Sequence, residues 1–186
     1  MANADDPFFS TLPPEHAGVA RAGDDGDEIH LPAFAAHFPR LESEWLPLRW
    51  QPESMDLTPA FRDGLVAFAT GQEKAAHAIL TAIANALPAL SQTYGEDLAA
   101  RYAPALAESL VPLAITLHDT GGAVLVGLEL DCDWDPESGL GLLLSGDRVL
   151  GVGFADVSFS PAIAREAAGG ETSAFLWAST TSPTQG

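Results

Sequence analysis

The segment LELDCDWDPESGLGLLLSGDRVLGVGFAD, residues 128–156, decides both the fold class and the candidate site of this chain. Its first half places five acidic residues within nine positions: Glu129, Asp131, Asp133, Asp135 and Glu137. Its second half contains two apolar runs with glycines, residues 139–144 and 149–154, joined by Ser145-Gly146-Asp147. Two such runs around a short glycine turn predict an antiparallel hairpin.

A second hairpin is predicted immediately upstream. Leu113, Ile115 and Leu117 alternate with smaller or polar residues, which is the two-residue period of a half-buried strand. The turn sequence Asp119-Thr120-Gly121-Gly122 follows, and another apolar run begins at Ala123. Together the two hairpins predict a four-stranded antiparallel meander.

Helical patterns precede these strands. Thr58-Pro59 combines a hydroxyl N-cap with proline at the first helical position, which is typical of a helix start. Apolar residues then recur every three or four positions over residues 76–90 and 98–110, and Pro104 interrupts the second pattern. Because helices come before strands, we expect an α+β fold with a helical pair packed on one face of the meander.

The other stretches indicate the domain organisation. Residues 46–50 alternate as a strand does, and Pro47, which has no amide proton to donate, favours an edge strand or an irregular extended segment for them. Residues 1–28 contain seven acidic residues and one arginine, so we expect an acidic, mobile arm. Residues 29–178 then form a single α+β domain, and residues 179–186 a disordered tail.

The charge of the chain narrows the classes of partner. There are 26 acidic residues against eight lysines and arginines, which gives a net charge of −18 at pH 7. Such a surface repels nucleic acid and anionic lipid and attracts a basic protein partner. The first residues show no signal-peptide pattern, and residues 75–95 carry too many polar side chains for a membrane span. We therefore expect a cytoplasmic protein that binds neither nucleic acid nor membrane.

The acidic segment, defined as residues 129–137, is predicted to divide between two faces of a strand. If the strand continues to Asp135, alternation directs Cys132 and Trp134 into the core and leaves Glu129, Asp131, Asp133 and Asp135 together on the outer face. Like charges at this spacing repel, and only Arg148 and Arg165 lie nearby in sequence. We therefore predict an acidic ridge that binds a partner through these four carboxylates and Glu137.

Two alternative hypotheses give the same carboxylates a role in cation binding or in catalysis. Asp131, Asp133 and Asp135 repeat the opening of a calcium loop, but Pro136 and Leu142 replace its glycine and its bidentate glutamate, which excludes an EF-hand. A looser oxygen site that binds a divalent cation through Asp131, Asp133, Asp135 and Glu137 stays open. A carboxylate-dependent hydrolase is the weaker alternative, because no catalytic histidine or tyrosine is near in sequence. The five histidines are scattered without metal-binding spacing, and we predict no cofactor and no enzymatic activity.

The stretch Cys132-Asp133-Trp134-Asp135-Pro136-Glu137-Ser138-Gly139-Leu140-Gly141, followed by Val152-Gly153-Phe154-Ala155-Asp156, resembles the signature of an uncharacterised bacterial domain family. That signature is C-x-W-D-x-E-H-G-x-G followed by v-G-x-A-D, and Ser138 replaces its histidine here. The resemblance extends over about residues 57–160, and some members of the family resemble immunity proteins encoded beside secreted toxins. Trp134 is expected to anchor the core, and Gly139 and Gly141 to form the turn.

These observations favour a non-enzymatic acidic binding module, most specifically an immunity protein that neutralises a bacterial toxin. An acidic inhibitor gains association rate and specificity when it faces a basic active site.

Overall fold

The computed structural model describes Leu12, His16 and residues 18–51 and 58–179. The strands are β1 (Ala20–Ala22), β2 (Asp27–His30), β3 (Trp45–Gln51), β4 (Leu110–Asp119), β5 (Val124–Cys132), β6 (Leu140–Ser145), β7 (Arg148–Phe154) and β8 (Trp177–Ala178). The helices are α1 (Pro32–His37), α2 (Pro59–Thr70), α3 (Gln72–Tyr94), α4 (Leu98–Tyr102), α5 (Asp156–Phe159) and α6 (Pro161–Ala168), and 3₁₀ turns cover Ala103–Ser109.

The strands form one sheet in chain order, from β1 to β8. All neighbouring strands are antiparallel except β3 and β4, which are parallel. Parallel neighbours need a long crossover, and the segment that carries α2, α3 and α4 provides it. The α+β class is confirmed. The predicted four-stranded sheet is wrong, because β1, β2, β3 and β8 extend it to eight strands.

The edge position predicted for β3 is also wrong. Pro47 pairs with Glu28 of β2, and the pairing of β3 with β4 begins one residue later, at Leu48. The proline therefore lies outside the ladder with β4, so its missing amide proton does not prevent β3 from occupying the interior of the sheet.

The first long helix begins where its sequence predicts. The Thr58 side chain accepts a hydrogen bond from the Phe61 amide at 3.4 Å, and Pro59 occupies the first helical position of α2. Helix α3 continues through Pro88 and ends at Gly95, whose φ of 72° lies in the left-handed region that favours glycine.

The predicted helical pair is not present as two long helices. Residues 98–110 form the five-residue helix α4 and then 3₁₀ turns that are interrupted at Ala105. Pro104 lacks an amide proton and its ring obstructs the preceding turn, so the α-helix ends before it. The long helices that pack against the sheet are α2 and α3.

Helices cover both faces of the sheet. On the first face the α2 and α3 stripes pack with the strands in the main core, whose central members include Phe61, Leu65, Ile79, Ile83, Ile115, Leu117, Leu128, Leu130 and Leu142. On the second face α5 and α6 pack with the strands in a smaller cluster that contains Leu125, Leu143, Val157 and Ala164. The sheet is therefore buried on both sides around β5 and β6.

Glycines in β5 and β6 let α5 approach the second face closely. A Cβ atom at Gly127 would overlap the Ser158 carbonyl group, and one at Gly141 would lie only 2.8 Å from the Ser158 amide nitrogen. Gly141 thus lies within β6, which corrects the prediction that it forms the turn. Gly139 does belong to the connection before β6 and has a φ of 62°.

The predicted domain boundaries fall partly outside the described residues. Residues 20–28, which the sequence assigns to the acidic arm, form β1 and begin β2. The rest of the arm, apart from Leu12, His16, Gly18 and Val19, and residues 180–186 of the tail lie outside the description. Within the described ranges, no helix combines the length and the apolar character needed to cross a bilayer.

Candidate functional site

The acidic segment runs from the end of β5 into the connection to β6. Strand β5 ends at Cys132, so the prediction of a strand to Asp135 is wrong. Beyond it, the Asp133 amide donates to the Ser109 carbonyl at 3.1 Å, and the Asp135 amide donates to the Cys132 carbonyl at 3.2 Å. The first bond extends the pairing beyond the end of β5, whereas the second closes a turn over residues 132–135. The alternation of faces therefore does not continue to Asp135.

Glu129 is paired with an arginine from another strand. Arg49 Nη1 donates to Glu129 Oε2 at 2.7 Å, and the Glu129 side chain is 20% exposed. Arg49 lies opposite Thr116, which in turn lies opposite Gly127, two residues before Glu129. The arginine thus reaches across β4, and only the order of the strands brings it to this carboxylate.

Asp133 is held by an arginine from the segment between α1 and β3. Arg40 Nη1 donates to Asp133 Oδ1 at 2.5 Å and to the Glu108 carbonyl at 3.3 Å. Both side chains of this ion pair are nearly half exposed, so the pair is accessible to solvent and salt.

Both carboxylate oxygens of Asp135 accept hydrogen bonds within the protein. The Tyr94 hydroxyl donates to Oδ2 at 2.6 Å, and the Ser138 amide donates to Oδ1 at 3.0 Å. Partial burial opposes ionisation of Asp135, but these bonds outweigh it and hold the pKa of the carboxyl below its usual range. Burial and the neighbouring carboxylate raise the pKa of Tyr94, so the phenol stays protonated and continues to donate.

Trp134 and Cys132 attach the same turn to the core. The Trp134 ring lies 5.0 Å from the Tyr102 ring between centroids and packs against the main core. Cys132 is buried, and burial, followed by the Asp135 and Asp131 charges, raises the pKa of its thiol to about 12, although backbone hydrogen bonds from the turn oppose the shift. A thiol in this state is a poor nucleophile, which leaves Cys132 a packing role.

The acidic ridge is therefore less isolated than its sequence suggests. Arg49 and Arg40 lie 80 and 93 positions from their acidic partners, far outside the local window in which Arg148 and Arg165 were the nearest cations. Within the described residues, the carboxylates of Asp131 and Glu137 have no hydrogen bond or ion pair. The ridge thus consists of two paired carboxylates, two carboxylates without such a partner, and Asp135, which stabilises the turn.

The described residues bring three possible metal ligands together at another place. The ligand atoms of His37, Glu73 and His77 lie within 4.8 Å of one another, and no other such group of three occurs among the described residues. The carboxylates of the acidic segment do not converge in this way. The hypotheses that the acidic segment binds a divalent cation or catalyses hydrolysis stay predictions. The sequence indicates two of the three residues of this group, because Glu73 and His77 are one helical turn apart.

Comparison with known proteins assigns the chain to a family. A family model described as "Domain of unknown function (DUF6985)" matches residues 41–159. The chain belongs to this family. This match confirms the prediction that the chain belongs to an uncharacterised family. No curated protein and no solved structure matches the chain.

The DUF6985 match covers the candidate site but not the whole sheet. It runs from Leu41 to Phe159, and therefore includes β3 to β7, the helices between them and α5. The Tyr94–Asp135 and Arg49–Glu129 contacts lie within the DUF6985 match. Arg40 and His37 precede it, as do β1 and β2. The turn around Asp135 is thus part of the family domain, whereas its contact with Arg40 uses a residue outside the match.

Proposed function

We propose that this DUF6985 protein is a non-enzymatic acidic binding module that recognises a basic protein, most specifically an immunity protein that neutralises a bacterial toxin. The binding surface comprises Glu129, Asp131, Asp133 and Glu137. Asp135 supports this surface from within the turn. The observation that carries the proposal is the excess of carboxylates that remains after the internal ion pairs are formed.

All eight lysines and arginines lie within the described residues. Five of these cations form ion pairs with carboxylates of the same chain: Arg21, Arg40, Arg49, Arg62 and Arg101. The 26 acidic residues far outnumber them. The surface therefore carries a strongly negative field, which accelerates the approach of a basic partner.

The exposed ion pair between Arg40 and Asp133 does not close the ridge to a partner. Exposed ion pairs contribute only about 0–1 kcal/mol to stability, because solvent and salt screen them. A cationic group on a partner can therefore compete with Arg40 for Asp133 at little cost. Asp131 and Glu137 have no ion pair within the described residues, so a cationic group of the partner can bind their carboxylates without displacing an arginine. The fixed turn keeps Asp133 and Glu137 in a defined arrangement, which reduces the entropy lost on binding.

The immunity role rests on the resemblance of residues 132–141 and 152–156 to a bacterial domain family with immunity-like members. A toxin that acts on an anionic substrate presents a basic active site, and an acidic inhibitor matches it electrostatically. The proposed partner is accordingly the protein encoded by a neighbouring gene, and its contact surface should be basic.

The experiment measures association of the full chain with the purified product of each adjacent gene. The test variant combines Asp131→Asn with Glu137→Gln, which removes two charges from the ridge without changing side-chain size. We expect the association rate constant to fall by about tenfold or more at low salt, and the difference to shrink as salt rises.

The matched control combines Asp24→Asn with Asp25→Asn, two exposed residues between β1 and β2. This control removes the same net charge from a different place, and we expect a much smaller effect. Equal losses for both double variants would show that net charge alone governs binding. The proposal would be wrong if neither neighbouring product formed a complex at low or physiological salt.

A further inference from the structure

Two histidines and a glutamate meet where α1 packs against the start of α3. His37 is the last residue of α1, and Glu73 and His77 lie on the first turns of α3. Residues four apart on a helix share one face, so Glu73 and His77 are both directed to the side on which α1 lies. The result is a compact group of three side chains that can each donate a lone pair to a metal ion.

Both imidazoles are directed at the same carboxylate oxygen. His37 Nε2 lies 2.9 Å from Glu73 Oε1, and His77 Nε2 lies 3.8 Å from the same atom. The ligand atoms of a tetrahedral zinc site, with zinc–ligand distances of about 2.0–2.1 Å, are about 3.3 Å apart. These two separations lie on either side of this value, and all three ligand atoms lie within 4.8 Å of one another, so small side-chain rotations would create the site.

The backbone around the cluster is fixed without any metal. The Ala33 amide in α1 donates to Gln72 Oε1 at 2.8 Å, and Gln72 Nε2 donates to the Ala69 carbonyl at 2.9 Å. Phe34 and Phe38, on either side of the α1 C-terminus, are fully buried. Helix α1 is thus held against the junction of α2 and α3, and the metal ligands are organised before an ion arrives.

We propose that His37, Glu73 and His77 bind a zinc ion that links α1 to α3. Two imidazoles and one carboxylate suit zinc, whereas calcium and magnesium prefer sites made of oxygen atoms. Three protein ligands leave one tetrahedral position for water or for a donor from a binding partner. This site is separate from the acidic segment, and its existence does not depend on the proposed partner.

An ion can reach the cluster from solvent. The side chain of His77 is 68% exposed, and that of Glu73 is 64% exposed. His77 also borders a surface groove of about 440 Å³ that includes Thr81, Asn85 and Trp177. The side chain of His37 is 19% exposed and forms the inner wall of the site. The open position of the metal is therefore expected on the solvent side.

The chain contains a matched control for this proposal. His30 Nε2 lies 3.0 Å from Glu44 Oε2, which repeats the His–Glu contact of the cluster. His30 stacks on Trp45, and this pair belongs to no group of three ligands within the described residues. A histidine hydrogen-bonded to a carboxylate is thus present at both places, but only the cluster offers a third ligand.

The experiment is calorimetric titration of the full chain with zinc chloride, together with the visible absorption of its cobalt complex. Wild-type protein should bind one zinc ion per chain at this site, and cobalt should give the intense visible bands of a tetrahedral complex. Removing a residue that only hydrogen-bonds to a metal ligand typically weakens metal binding by about 10–100-fold. The variants His77→Ala and Glu73→Gln, at exposed positions, remove a ligand itself, so each should weaken zinc binding by more than this. His30→Ala should leave it unchanged.

Calcium in large excess tests for general attraction of cations to the acidic surface, and it should not displace the zinc. Circular dichroism of each variant separates loss of a ligand from loss of fold. The proposal is overturned if wild-type protein binds no zinc, or if His77→Ala and Glu73→Gln, while folded, bind it as tightly as His30→Ala does.

Discussion

The Tyr94 hydroxyl donates a 2.6 Å hydrogen bond to Asp135 Oδ2 and so joins the last residue of α3 to the connection between β5 and β6. Ser138 donates its amide to the other oxygen of the same carboxylate. The bond to Tyr94 links two structures that are 41 positions apart in sequence. It fixes the turn that presents Asp133 and Glu137, and its strength can be tested directly.

Tyr94→Phe should remove this bond and destabilise the protein. A hydrogen bond to a charged group contributes about 1.5–3 kcal/mol, and partial exposure of the Asp135 carboxylate favours the lower end. Because Asp135 has a lowered pKa in the folded protein, its contribution is complete above the unfolded value of 3.8 and is lost as pH falls through the folded value. Urea unfolding of both proteins, from neutral pH to about pH 3, should therefore show a difference that narrows in acid.

A suitable control for Tyr94→Phe is Tyr102→Phe, since Tyr102 contacts Trp134 through its ring and makes no hydrogen bond to Asp135 within the described residues. This control should show a difference from wild type that does not depend on the ionisation of Asp135. A constant penalty for Tyr94→Phe from neutral to acidic pH would contradict the charge-assisted bond.

Gly127→Ala should destabilise the fold, because the new methyl group would overlap the Ser158 carbonyl group beneath α5. Overpacking of this kind costs about 1–3 kcal/mol or more, since backbone has to move. Thermal unfolding would measure the loss. Gly122→Ala is the control, because Gly122 faces open space and has no left-handed φ, and its effect should stay within about 0.5 kcal/mol. Equal stability of the two variants would show that α5 does not pack closely against Gly127.

His118 should make the protein less stable as the pH falls below neutrality. Its side chain is 1% exposed, its Nε2 atom lies 2.8 Å from the Ser158 carbonyl oxygen, and its Nδ1 atom has no partner within the described residues. Burial lowers the pKa of His118, and its hydrogen bond to Ser158 only partly opposes this. The stability contributed by the neutral ring is complete above the ordinary value of 6.5 and is lost as pH falls through the lower folded value.

His118→Gln keeps an amide donor but removes this titration. At neutral pH the substitution should cost about 0.5–3 kcal/mol. In urea unfolding between about pH 7 and pH 5 the gap to wild type should narrow, because only the wild-type protein loses stability by protonating this ring. His30→Ala, at an exposed pair, provides the comparison. A gap that stays constant over this range would contradict a buried neutral imidazole.

The sequence predicts the features that depend on neighbouring residues. Thr58-Pro59 starts α2 as predicted, because an N-cap is a local signal. The interruption at Pro104 is predicted too, but its full effect is not, since the pattern over residues 98–110 also fits a longer helix. The α+β class follows from the change of period. The number of strands does not, because β1 and β8 contain only three and two residues.

The partners of the candidate site could not be predicted. Arg49 reaches Glu129 only because β3 lies beside β4, and Arg40 reaches Asp133 over 93 positions. An interpretation based on neighbouring charges therefore overestimates the repulsion in the acidic segment. The ligands of the proposed zinc site differ in the same way. The spacing of Glu73 and His77 along α3 is visible in the sequence, whereas His37 joins them only because α1 packs against α3.

Cys132 should resist alkylation in the native protein. Its side chain is buried, and the pKa of its thiol is raised from 9.0 to about 12, so the thiolate is about a thousandfold scarcer than for an ordinary thiol. A thiolate of higher pKa is more nucleophilic, which offsets part of this loss, so iodoacetamide near pH 8 should label wild-type protein at least about tenfold more slowly than a free thiol, and denaturant should restore the ordinary rate. Mass spectrometry follows the reaction. Ser173→Cys in a Cys132→Ala background places a thiol at an exposed position and should react at the ordinary rate. Comparable labelling of both native proteins would show that β5 opens at Cys132, and the turn that follows it would then not be fixed to the core.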